Sequence, residues 1–312
     1  MRPEPQDYSF DLSQTLNAVV LVTSQIPPDA LTASVLGTER SGNGVVIERN
    51  LVLTIGYLVT EAQQIWLTLN DGRTVPGDVL AYDQATGLGL IQALGQLDIT
   101  PIPIGTATRA EVGDELVVIG CGGRDNTIEA QLVAKQEFAG YWEYLLDEAL
   151  FTAPAHENWG GTAVVAADGT LIGIGSLQIQ DAEVNGEAQD LNMVVPIDLL
   201  PPILWNMKRT GTSGRPPRPW LGLYATETDD TVVVIGIADR GPAADAGIEP
   251  GDIIVAVGNK SVASLASFFK ATWDEGPAGC SITLQIIRDG RPREAVLVSA
   301  NRTELLKRPS LH

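Results

Sequence analysis

Leu53-Thr54-Ile55-Gly56-Tyr57-Leu58-Val59, Asp83-Gln84-Ala85-Thr86-Gly87-Leu88-Gly89-Leu90 and Glu157-Asn158-Trp159-Gly160-Gly161 are three short strings, with 30 residues from Tyr57 to Gly87 and 72 from Gly87 to Trp159. Around them lie short runs rich in β-branched residues: Val45 to Ile47, Ile65 to Leu69, Val79 to Tyr82, Leu116 to Ile119, Ile128 to Val133, Ala163 to Val165 and Leu171 to Ile174. Runs of this length and composition, punctuated by turn residues, read as strands. Asn70-Asp71-Gly72 and Asp168-Gly169 supply hairpin turns between them, because Asn, Asp and Gly accept the positive φ angles of tight turns. The pattern predicts two packed antiparallel barrels with a boundary near Thr106 to Val112.

Pro196 and Asp198 then open a helix expected to run towards Met207, with an interruption or kink at Pro201 and Pro202. Pro216, Pro217 and Pro219 stiffen the linker that follows. In the last third, Thr231 to Ile237 and Ile253 to Val257 read as strands. Ser264 to Trp273 reads as a helix capped by Ser264, and Ser281 to Arg288 with Glu294 to Val298 as a hairpin about Asp289-Gly290. Pro242 to Ala246 is a short helix opened by proline and closed by Gly247.

Composition bounds the function. With 312 residues and 44% hydrophobic residues, the chain has material for two domains with their own cores. Residues 1–208 hold 27 acidic and 8 basic side chains, whereas residues 209–312 hold 12 of each, so the whole net charge of −19 lies on the first part. Such a surface repels phosphate backbones and anionic lipid heads, which argues against nucleic acid and favours a neutral or basic polypeptide partner. Glu4, Asp7 and Asp11 precede the apolar run Leu16 to Val22. This is not a secretory signal, and no stretch approaches the roughly 20 apolar residues of a membrane span. The sequence as given therefore implies a cytoplasmic protein, or a periplasmic one if a leader was removed. Cys121 and Cys280 fall in different predicted domains, which argues against a disulfide.

The three strings resemble, in order and spacing, the catalytic motifs of the HtrA-type, trypsin-like serine proteases: Leu-Thr-x-x-His-Val-Val, Asp-x-x-Thr-Asp-Leu-Ala and Gly-Asn-Ser-Gly-Gly. Ser41-Gly42-Asn43-Gly44-Val45-Val46-Ile47, Val112-Gly113-Asp114 with Leu116 to Gly120, and Asn192-Met193-Val194-Val195-Pro196-Ile197 also resemble that family's text. Trp220-Leu221-Gly222-Leu223 and the stretch Gly241 to Ile254 resemble a PDZ domain. The resemblance implies a mainly β protein: a two-barrel chymotrypsin/trypsin-like domain over residues 1–208, a Pro/Arg linker over 209–219 and a PDZ domain over 220–303. It places Tyr57 at the general base, Gly87 at its orienting aspartate, Trp159 at the nucleophile and Glu157 at the oxyanion-loop glycine.

None of these side chains can fill the family's roles. A serine must lose its proton to a histidine that an aspartate orients; tyrosine, with a pKa near 10, is a poor base, glycine carries no carboxylate and indole is no nucleophile. Glu157 would cost about 1–2 kcal/mol if its φ had to be positive, and its charge would oppose an oxyanion. Loss of a triad removes on the order of 10⁶ in rate. Only His156 and the terminal His312 could replace the base. His156 lies on the nucleophile loop and reads as a partly exposed loop residue; a catalytic pairing with Cys121 or a serine is the rival reading. Trp159 is expected to plug the former cleft, against the plainer reading of a core indole.

No metal or cofactor is expected, since the two histidines and two cysteines are separated, and Asp181, Glu183, Glu187 and Asp190 read as a solvated loop. The resemblance further implies that backbone N–H groups of Trp220 to Leu223 hold a peptide's C-terminal carboxylate, with the helix Ser264 to Trp273 as the far wall of the groove. For Leu221 and Leu223 a plain core role is the alternative, so Gly222 is the more specific expectation. Tyr8-Ser9-Phe10 resembles the aromatic pair with which family members build trimers; a local hydrophobic staple explains it too. The combined expectation is a catalytically inactive pseudoprotease that binds polypeptide C-termini or unfolded proteins, with no nucleic acid and no membrane insertion. Its rivals are an active serine endopeptidase of non-standard arrangement and a chaperone-like oligomer partnering an active homologue.

Overall fold

The computed structural model describes residues 2–184 and 186–307. Contacts divide the chain into two units. Among the described residues, one comprises 2–136, 148–184, 186–214 and 307; the other comprises Glu137–Asp147 and Arg215–Leu306. The sequence reading placed residues 137–147 with the barrels, whereas they cluster with residues 215–306.

The first unit holds two closed barrels, of which the end of one strand and the start of the next fall in residues 137–147 of the second unit. Strands β1 (Val19–Gln25), β2 (Glu39–Glu48), β3 (Leu51–Ile55), β4 (Gln64–Thr68), β5 (Thr74–Tyr82) and β6 (Leu88–Ala93) close in the order β1-β2-β3-β6-β5-β4. Strands β7 (Glu115–Ile119), β8 (Thr127–Gly140), β9 (Tyr144–Ala153), β10 (Ala163–Val165), β11 (Leu171–Val184) and β12 (Glu187–Pro196) close in the order β10-β11-β12-β9-β8-β7. Closure removes the free edges that would otherwise recruit other strands. Leu53, Leu67 and Leu90 fill the first barrel, and Val118, Leu132, Leu150 and Val194 the second, all fully buried. Each such side chain contributes about 1.5–3 kcal/mol of hydrophobic stabilisation. The expected hairpin turns are present: β4 pairs with β5 across Asn70-Asp71-Gly72, and β10 with β11 across Asp168-Gly169.

Two expectations are corrected. The helix after β12 does not run through a proline kink: a 3-10 turn, Ile197–Leu199, precedes a regular helix, Pro201–Thr210, whose first two positions are the prolines. There the missing N–H groups would have had no intrahelical partner. Asp181, Glu183, Glu187 and Asp190 are not a loop but lie on the paired ends of β11 and β12. Asp190 accepts hydrogen bonds from the Gln178 side chain and the Asp181 N–H.

The second unit contains a sheet of order β13-β14-β15-β17-β18, with β16 paired to β15. Its strands are β13 (Leu223–Thr228), β14 (Thr231–Ile237), β15 (Ile253–Val257), β16 (Lys260–Ser261), β17 (Ser281–Arg288) and β18 (Arg291–Val298). The helix Leu265–Asp274 carries a full capping box between Ser264 and Ser267. Phe268 and Phe269 bury their rings in a cluster with Leu221, Leu223, Ile254, Ile282 and Leu284. Arg288 grips the buried Asp252 with two hydrogen bonds of 2.6 Å, holding the turn before β15 onto β17. No helix among the described residues is long and apolar enough to cross a membrane.

Candidate functional site

In the first unit, Tyr57 lies on the 3-10 turn after β3, Gly87 precedes β6, and Trp159 lies on the loop before β10. The Tyr57 hydroxyl donates to the Ser176 carbonyl of β11 at 2.9 Å. Burial raises the phenol's pKa far above its ordinary value, against a smaller opposing influence of the nearby Trp159 side chain, so Tyr57 stays neutral. The carbonyl beneath it is fixed as well, because Arg40 donates to the Tyr57 oxygen at 2.6 Å and to Thr60 O at 3.1 Å. Arg40 is buried, and desolvation lowers its pKa to about 10 while nearby Glu61 opposes the shift. Thr32 links the two, accepting from Arg40 and donating to Glu61.

Gly87 takes φ +75° and closes a turn in which Asp83 accepts from both the N–H and the hydroxyl of Thr86. The frame of the second motif is thus intact around a position that offers no carboxylate. Trp159 and Tyr57 are both half-buried. The Tyr57 hydroxyl, which stands at the base position, is committed to the Ser176 carbonyl.

The loop carrying Trp159 is held by Asn43 of β2. The Asn43 N–H and side-chain amide both donate to Gly160 O, at 2.7 and 3.0 Å, and the amide also donates to Asn158 O at 2.7 Å. Its side-chain oxygen accepts the Cys121 N–H at 2.8 Å. Glu157 is exposed and does not adopt a positive φ, so the strain considered for it does not arise. The left-handed residue of this loop is Gly161, at φ +79°.

His156 is buried, at 3% exposure, and not the partly exposed residue expected from the sequence. Its Nδ1 accepts the Asn158 N–H at 3.0 Å, and its Nε2 lies 3.0 Å from Asn126 O, which can only accept. The ring is therefore the neutral Nε2–H tautomer with both nitrogens engaged. Cys121 instead directs its Sγ towards Thr68 O and Asn70, and burial raises the thiol's pKa. His156 and Cys121 do not form a catalytic pair. His312 lies outside the described residues, and no metal-binding cluster occurs among them.

Burial lowers the His156 pKa, outweighing the Asn126 bond and the Glu157 charge. A depressed folded value contributes stability that is present above the unfolded pKa of about 6.5 and lost as pH falls towards the folded value. Thermal unfolding between pH 7.5 and 5 is expected to show the first unit losing stability more steeply in the wild type than in His156→Gln. Parallel curves would reject the role.

In the second unit Trp220 is buried and pairs with Ala300, and Leu221 and Leu223 are core residues. Gly222 takes φ +76° between them, which turns the N–H groups of Leu221, Gly222 and Leu223 towards one point. A Cβ at Gly222 would lie 3.0 Å from the Trp220 ring. The three N–H groups converge on the carboxylate of Glu143, a residue that the sequence reading did not single out. Burial pushes this carboxyl up to about 7, against the N–H groups and the charge of Arg302. A sequence signal did exist: Phe138, Tyr141, Trp142 and Tyr144 crowd a hairpin tip, too many aromatic rings for an ordinary solvated turn.

Near the N-terminus, Tyr8 and Phe10 have ring centroids 5.3 Å apart; Tyr8 donates to Glu129, and Phe10 lies against Gly169. Intramolecular contacts thus hold both rings.

Residues 42–174 match the trypsin-like peptidase domain family and residues 219–297 the PDZ domain family. With two closed barrels followed by this sheet, the chain is a trypsin-like, PDZ-containing protein. It is 25% identical over 304 residues to the serine endoprotease DegS of Salmonella typhimurium, covering 92% of this chain and 84% of that protein. It is 26% identical over 266 residues to the periplasmic serine endoprotease DegP of Escherichia coli K12, covering 80% of this chain and 55% of DegP. The protein described as putative protease Do-like 14 of Arabidopsis thaliana is 28% identical over 257 residues, covering 71% of this chain and 57% of that protein. The solved structure of the HtrA-type protease AlgW with a decapeptide shares the fold, with a TM-score of 0.55 at 20% identity over 96% of this chain and 98% of that one. The chain thus carries a trypsin-like peptidase domain and a PDZ domain in one polypeptide and is similar in sequence to DegS and DegP and in fold to the HtrA-type protease AlgW.

Proposed function

We propose that this HtrA-type protein is a pseudoprotease: it cleaves no peptide bonds and works by binding polypeptide C-termini through its PDZ domain. The observation that carries the first half is Tyr57, a half-buried phenol whose hydroxyl is committed to the Ser176 carbonyl where a base would have to meet a nucleophile, with the indole of Trp159 at the nucleophile position. Proton transfer needs a group near its working pKa within reach of a nucleophile, and neither is supplied. His156, the one described histidine, has both ring nitrogens committed. The second half is supported by the convergent N–H groups of Leu221, Gly222 and Leu223, a geometry that selects a carboxylate. Digestion of unfolded casein tests the reading: the purified chain is expected to release no peptides, and release dependent on the chain's own residues would overturn it.

A further inference from the structure

The convergent N–H groups already have an occupant from within the same compact unit. Glu143 accepts from Gly222 N at 2.8 Å, from Leu221 N at 3.1 and 3.2 Å and from Leu223 N at 3.3 Å. Two residues earlier, the Tyr141 carbonyl accepts the Ala225 N–H of β13 at 3.1 Å. The Tyr141 ring meets Tyr224 edge-on with centroids 6.0 Å apart, and Leu145 joins the buried cluster of Leu221, Leu223, Leu265 and Phe268. At the two ends of the segment, Lys270 of the helix Leu265–Asp274 pairs with Glu137 and, at 3.9 Å, with Asp147.

These contacts reproduce what a bound peptide would make. A C-terminal carboxylate would take the same three N–H groups, the carbonyl two residues before it would take the Ala225 N–H, and an apolar side chain would enter the cluster. Glu143 supplies the carboxylate from its side chain, at φ +60°. For a residue with a Cβ that angle is unfavourable and persists only where surrounding contacts impose it.

We propose that residues 137–147 are an internal ligand of the PDZ groove, with Glu143 as a false C-terminus that outside peptides must displace. The inference rests on the reading of this domain as a binder of polypeptide C-termini. A tethered ligand acts at an effective concentration on the order of millimolar. An outside peptide therefore binds only the fraction of molecules whose groove is open, and its apparent affinity falls by that fraction. Glu143→Gln removes the charge that the three N–H groups hold and sets an NH₂ against the Leu221 N–H, which loosens the segment's hold on the groove without removing the segment.

The test uses the full chain and a fluorescein-labelled peptide, Phe-Ala-Gly-Tyr-Trp-Leu, which copies residues 138–142 without Glu137 and ends in leucine with a free carboxylate. Its amidated twin is the control. By fluorescence anisotropy, Glu143→Gln is expected to bind the free acid at least about tenfold tighter than the wild type. Lys270→Glu, which leaves the loop untouched and repels Glu137 and Asp147, tightens binding as well; the amidated twin binds none of the three proteins. Equal, carboxylate-dependent affinity in all three overturns the internal ligand while leaving peptide binding in place. Binding by none overturns the peptide reading and the inference with it. Amide hydrogen exchange gives a readout without any probe: Leu221, Gly222 and Leu223 are protected in the wild type and exchange faster in Glu143→Gln, and equal rates contradict the proposal.

Discussion

Gly161→Ala is expected to destabilise the barrel unit by roughly 3 kcal/mol or more, lowering its unfolding transition by about 6–12 °C. Two independent effects add at this position. Gly161 sits at φ +79°, where a Cβ costs about 1–2 kcal/mol. The added atom would lie 1.9 Å from Asn43 O and 2.8 Å from the Asn43 carbonyl carbon and Thr54 Oγ1. Two of these are backbone atoms of β2, which is paired on both sides, to β1 and to β3. Neither can move without breaking ladder bonds, so the loop must leave its seat. Calorimetry of the full chain checks this: the barrel transition moves and that of the second unit stays. An unchanged transition would mean that the loop is not held as described.

Asn43→Ala attacks the same seat from the other side, with a cost of roughly 3–5 kcal/mol. Asn43 is 2% exposed, and its side chain serves Asn158 O, Gly160 O and the Cys121 N–H. Truncation leaves buried partners without a bond, at about 1–3 kcal/mol for each such group. Gly160 O keeps the Asn43 backbone N–H, which limits the loss. Urea unfolding is expected to show a lower midpoint with an unchanged slope. The variant should also loosen the loop that carries Trp159, which faster amide exchange at Asn158 and Gly161 would register.

The barrels and the second-unit sheet were legible because their turns are written locally. Asn70-Asp71-Gly72, Asp168-Gly169 and Asp289-Gly290 each mark a hairpin that the structure contains. Strands without alternation were less visible: β3 is buried at all five positions, and so shows no two-residue period. Pro201-Pro202 misled because proline breaks a helix interior but suits its first turn. The acidic residues of β11 and β12 read as loop because the strand ends are solvated. In the former cleft, the positions of Tyr57, Gly87 and Trp159 could be read from the motifs, but the bond to Ser176 could not, since its partners are 119 residues apart. For Glu143 the crowd of aromatic rings around it marks the hairpin tip as unusual, but not the role of its carboxylate: a glutamate there reads as solvated until the N–H groups 78 to 80 residues away are brought onto it.

The proposed function requires that Tyr57, Gly87 and Trp159 perform no peptide-bond chemistry. The most direct measurement is the release of soluble peptides from unfolded casein by the purified full chain, followed by mass spectrometry beside His156→Ala. Wild type and variant are both expected to match the buffer control, in line with a loss on the order of 10⁶ in rate when a triad is removed. Peptide release that scales with wild-type concentration and disappears in His156→Ala would contradict it.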